Sequence, residues 1–105
     1  MPDRTCRVVV QDDGIEQLLR LRLDLYNHSP TGFEWGYGGS GPAQLALALL
    51  ADAINDQTAL RLHQQFKRAQ VALWKRDVGW HLTQVAVMAY ALALPLRVDE
   101  RLPYD

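Results

Sequence analysis

The residues Gly36-Tyr37-Gly38-Gly39-Ser40-Gly41 spell G-x-G-x-x-G, and Pro42 opens an Ala/Leu-rich run directly after them. Glycine is costly to order, so a cluster this dense answers a local demand. In a dinucleotide site such glycines let backbone approach a pyrophosphate, which the following helix N-terminus stabilises. Asp56 even lies near the expected distance for a ribose-binding acid. The context opposes that chemistry, because a second amphipathic pattern follows the helix where a parallel strand is required. A P-loop is excluded because no Lys follows the glycines. Ser40 on a nucleophile elbow needs glycine two residues either side; Gly38 fits and Pro42 does not. The favoured role is structural, with glycines turning the chain, Ser40 or Gly41 capping a helix and Pro42 in its first turn. Anion capture at Gly39, Ser40 and Gly41 is the competing role.

Other reactive side chains are scattered. His28, His63 and His81 are far apart in sequence and have no Cys partners, so no metal site is assigned. His28, after Asn27 in a turn, reads as exposed or as a local hydrogen-bond former. Glu34, between Phe33 and Trp35, reads as a carboxylate bonding nearby loop amides or an arginine. Cys6 reads as a small packed side chain, and a lone cysteine excludes an intrachain disulfide framework and fits a reducing compartment. No catalytic residue and no cofactor is assigned. Arg61, Lys67 and Arg68, extended by Lys75 and Arg76, have the charge for a phosphate backbone, and Asp77 tempers it. A solvated helix face is the favoured reading of that run.

These residues need elements to hold them. The 105 residues allow one domain and one core, and 49% hydrophobic content is ordinary for a globular chain. Eleven Lys and Arg against twelve Asp and Glu leave a net charge of −1, so no global field draws the chain to nucleic acid or anionic lipid. The N-terminus lacks a signal-peptide pattern, and the apolar run Ala43 to Ala51 is too short to cross a bilayer. Membrane partners are not expected, and the cytoplasm is the expected location.

Arg4 to Val10 reads as a strand ending at the turn signal "QDDG". The alternation of Leu19, Leu21, Leu23 and Leu25 with polar residues predicts a second strand, and the two form a hairpin closed near Asp13-Gly14. "FEWGY" reads as a third short strand, weakened by Gly36, and "WHL" as a brief strand pairing. The segment Ala43 to Ile54 is apolar nearly all round, which predicts a central buried helix. Thr58 to Trp74 carries a stripe of Ala59, Leu62, Phe66, Ala69 and Leu73, with Arg61, His63, Gln64, Lys67 and Arg68 opposite. Thr83 caps a third helix reaching about Leu94.

The run "NHSPTGFEWGYGGSGPAQLALALLADAI", followed by "ALRLHQQFKRAQVALW" and "WHLT", resembles a family of small domains of unknown function found in bacteria, phages and plasmids. The likeness covers about Leu19 to Leu92. It matches the N-terminal strand loosely and excludes the tail after Pro95. The resemblance implies an accessory gene of a mobile element, whose products often bind host machinery, anti-CRISPR-like inhibitors included. It implies no site residues.

The expectation is therefore an α+β domain over residues 1–94, a hairpin or small antiparallel sheet on three helices, with a loosely held tail at 95–105. The favoured function is a non-enzymatic interaction module that inhibits or regulates a host or phage protein. Nucleic-acid association through the second helix, and anion binding or catalysis at the glycine loop, are the alternatives.

Overall fold

The computed structural model of the chain describes residues 7–94. Cys6, the start of the expected first strand and the expected tail lie outside the described residues. The architecture is α+β: an N-terminal two-stranded antiparallel hairpin and three helices. Strand β1 (Val9–Asp12) pairs with β2 (Ile15–Leu18) in the register Val9 to Leu18 through Asp12 to Ile15. Asp13 and Gly14 close it with φ of 53° and 79°, the left-handed pair that a two-residue turn matched to strand twist requires.

The second strand is shorter and earlier than the leucine alternation predicts. After Leu19, whose N–H donates to Val8 O at 2.9 Å, the chain leaves the ladder and turns. Arg22 sits at φ 60° and accepts from Leu25 N at 3.0 Å. Its guanidinium grips Asp24 and Asp56 with two hydrogen bonds each. Only Leu19 of the four leucines is buried, Leu21 and Leu25 being half-buried and Leu23 exposed. A period of two is thus produced by a turn with alternating contacts. Phe33 makes only an isolated bridge, and residues 80–82 form no strand. Gly36 weakens the first, and the second pairs with no strand among the described residues.

Helix α1 (Ser40–Ala53) is the axis of the molecule, with Gly41 to Leu50 all buried. Helix α2 (Asp56–Ala69) folds back against it, and α3 (Gln84–Ala93) packs less extensively on both. Asn55 starts α2 by accepting from Thr58 N at 2.7 Å, and Thr83 starts α3 by accepting from Ala86 N at 3.0 Å. The Gln84 amide ties α3 to the end of α1 through Ala53 O at 2.9 Å. Helix α2 stops earlier than predicted. Gln70 ends it and Val71–Leu73 tighten into a 3-10 turn, so Val71 is buried while Ala69 and Leu73 face solvent. The core joins Leu45, Leu49 and Leu50 of α1 to Ala59, Leu62 and Phe66 of α2, with Val87 and Ala91 from α3.

Candidate functional site

The glycine run enters α1 differently from its predicted cap. Gly39 is the N-cap, in extended conformation, and no side chain caps the helix. Ser40 is exposed in the first helical position, with Gly41 and Pro42 buried after it. The correction is geometric: a capping side chain must sit one residue earlier, where the chain has no side chain at all.

The glycines make room. Gly36 has φ 90°, and a Cβ there would lie 2.8 Å from Trp74 O. Its N–H donates to Val71 O at 3.0 Å, docking the loop onto the 3-10 turn that follows α2. A Cβ on Gly39 would strike the Tyr37 ring, and one on Gly41 would lie 2.7 Å from Glu34 Oε1. The Tyr37 hydroxyl donates to that same Glu34 oxygen. A carboxylate of the chain itself therefore packs against the first turn of α1, where negative charge is favoured. A second anion at Gly39 to Gly41 would meet that charge.

Across the loop, Arg76 lies over the Tyr37 ring at 5.2 Å from its centroid. Of the other cations, Arg61 and Arg68 share one exposed face of α2, seven residues apart, while partly buried Lys67 projects about a third of a turn away. Exposed Lys75 and Arg76 follow beyond the 3-10 turn.

The polar centre of the molecule was missed by the sequence reading. Gln44, fully buried at the start of the Ala/Leu run of α1, serves four backbone groups of the preceding loop. Its Oε1 accepts from His28 N at 2.7 Å and Ser29 N at 2.9 Å. Its Nε2 donates to Leu21 O at 2.6 Å and Tyr26 O at 3.0 Å. Over this anchored loop, His28 reaches His63 of α2, with the two Nε2 atoms 2.9 Å apart. Tyr26 stacks on His28 at 4.2 Å between ring centroids.

His63 is 2% exposed, on the core side of α2, and buried Gln64 stands beside it, so neither belongs to the solvated face assigned above. The spacing held the signal: His63 is four residues from Ala59 and three before Phe66, flanking the apolar stripe. The network fixes its tautomer. His63 Nδ1 faces Ala59 O at 2.8 Å, and a carbonyl only accepts, so the proton is on Nδ1. The bare Nε2 then accepts from His28 Nε2–H. Burial is the main force holding both imidazoles below the usual histidine range; repulsion from His63 and then Lys67 adds to it at His28, while at His63 the Ala59 and Leu60 carbonyls oppose it and Lys67 adds to it. The arrangement shares one hydrogen between the two rings. No group of three or more His, Cys, Asp or Glu side chains converges among the described residues.

Nor is any helix among the described residues long and apolar enough to cross a membrane. No curated protein and no solved structure matches the chain. A family described as of unknown function, DUF6166, matches residues 3–93, the hairpin and all three helices included, and the chain belongs to that family.

Proposed function

We propose that the chain is a non-enzymatic protein-interaction module that docks through α3. The supporting observation is the outer face of that helix. Val85, Met88 and Leu92 are 74%, 40% and 83% exposed, and Ala89 is exposed between them. Their spacing of three and four residues makes one stripe, and the ten residues of α3 include no charged side chain. A helix lying on a soluble core normally turns charged or polar residues outward. An uncharged helix face selects by shape, so the partner of this reading is a protein with an apolar groove that takes one helix face. The narrower role, inhibition or regulation of host machinery by a mobile-element protein, rests on the family resemblance. The nucleic-acid and anion readings have no comparable support, since the cations are divided between surfaces and Glu34 faces the α1 N-terminus.

The test compares wild type with Val85→Lys and Leu92→Lys, both expected to melt within a few degrees of wild type because the replaced side chains are exposed. A protein retained from bacterial lysate by wild type and lost by both folded variants supports the reading. Retention by all three, or by none, overturns it. A dimer seen by light scattering in wild type and abolished by the substitutions would make the partner a second copy of the chain.

A further inference from the structure

The outer edge of β1 borders a groove that the α3 stripe does not reach. The groove has a volume of about 520 Å3, and every residue from Val8 to Asp12 lines it. Successive strand residues point to opposite faces, so only a groove running along the strand's edge touches all of them. Its far wall is the extended segment Trp80 to Thr83 with the first turns of α3, and Leu49 and Ala53 of α1 contribute apolar floor.

The hairpin register identifies the backbone groups that face this space. Val8 O accepts from Leu19 N, and Asp12 pairs with Ile15 across the two-residue turn. In an antiparallel ladder bonded and non-bonded positions alternate. The N–H and C=O of Val9 and Gln11 therefore point away from β2 and into the groove. No backbone group among the described residues pairs with them, and a row of such groups is a template for another strand. The described lining of the groove is also acidic. Asp12, Glu16 and Asp52 line it, none paired with a cation among the described residues, and His81 is its one basic side chain there.

We infer that the β1 edge binds an extended segment of another protein, three to four residues long with basic and apolar residues alternating, as an added third strand. A strand residue fills about 160 Å3 at ordinary strand and sheet spacings, which sets that length. Backbone pairing to Val9 and Gln11 supplies the register. Apolar side chains turn to the floor of Leu49, Ala53 and Val87, and basic ones meet the carboxylates. A second copy is disfavoured sterically: its β1 would bring its own β2 into the space held by Trp80 to Thr83. The inference shares with the preceding section the premise of a protein-interaction module, but it uses a separate surface.

The probe is an acetylated and amidated Lys-Val-Lys-Val-Lys-Val peptide, titrated into the full chain by nuclear magnetic resonance. Saturable shifts confined to Val8–Asp12 and Leu82–Val87 are expected. Methylating the peptide amides on the face that pairs with β1 should weaken binding about tenfold or more, and methylating the alternate amides should not. A Glu-Val-Glu-Val-Glu-Val peptide should not bind, and raising salt should weaken the lysine peptide. Gln11→Pro removes only an outward N–H and should give the same loss with the hairpin intact. Absence of saturation at about 1 mM, equal binding of the acidic peptide, indifference to the methylation pattern or a concentration-dependent dimer through β1 would each overturn the inference. Leu92→Lys should bind the peptide like wild type, so failure of the α3 reading leaves this result distinguishable.

Discussion

His28 and His63, 35 residues apart in the chain, are joined by one hydrogen between Nε2 atoms 2.9 Å apart. The bond exists only while at least one imidazole is neutral, and it ties the loop after the hairpin to α2. Its direction, His28 to His63, follows from the carbonyl of Ala59 on the far side of the ring.

That geometry makes stability depend on pH. Both histidines are held below their ordinary range, so at mildly acidic pH the unfolded chain takes up protons that the folded chain refuses. The contribution is complete above the unfolded value of about 6.5 and is lost as pH falls through the depressed folded values. Melting temperature should drop between about pH 7.5 and pH 5.5, and His28→Gln with His63→Gln should flatten that slope. A wild-type profile as flat as the double variant's would contradict the pairing.

Gln44 is the costliest polar side chain to replace. Gln44→Leu preserves bulk but leaves two N–H and two C=O groups of the loop without partners. At about 1–3 kcal/mol for each buried group left unsatisfied, the loss should exceed about 3 kcal/mol even if the loop relaxes toward water. Urea denaturation measures it, and hydrogen exchange should show the amides of His28 and Ser29 losing protection.

Phe66→Ala should cost about 3–5 kcal/mol, the range for a buried aromatic, because Phe66 is fully enclosed between α1 and α2. A loss of a few tenths in equilibrium unfolding would contradict that packing.

The glycine loop separates into strained and free positions. Gly36→Ala should destabilise by more than about 1 kcal/mol, since it combines positive φ with contact against the Trp74 carbonyl. Gly38→Ala meets nothing within 4 Å and should be neutral or slightly stabilising. Ser40→Ala should stay within about 0.5 kcal/mol, because the hydroxyl caps nothing. Thermal melts of the three variants give the ranking.

The elements most legible in the sequence were those with one dominant physical cause. The all-round apolarity of α1, the Asp13-Gly14 turn and the Thr83 cap each depend on local residue chemistry, and each is found in place. The second strand was misread because Leu19 to Leu25 alternates for tertiary reasons: Gln44, eighteen or more residues on, holds Leu21 O and Tyr26 O, and Arg22 reaches Asp56. The histidine pair was illegible for the same reason. Nothing near His28 announces His63, although Gln44, a lone amide in an apolar helix, marked where a polar centre had to be.

All three tryptophans of the chain meet at one corner. Trp80 lies 5.5 Å from Trp35 and 4.6 Å from Trp74 between ring centroids, and the Trp35 indole donates to Lys75 O at 3.0 Å. Intrinsic fluorescence of this molecule is therefore a local instrument. Its tryptophan emission reports whether the glycine loop is docked on the 3-10 turn after α2, while the hairpin Val9–Leu18 carries no aromatic side chain. An emission change that precedes the loss of helical circular dichroism would identify that corner as the first part of the fold to open.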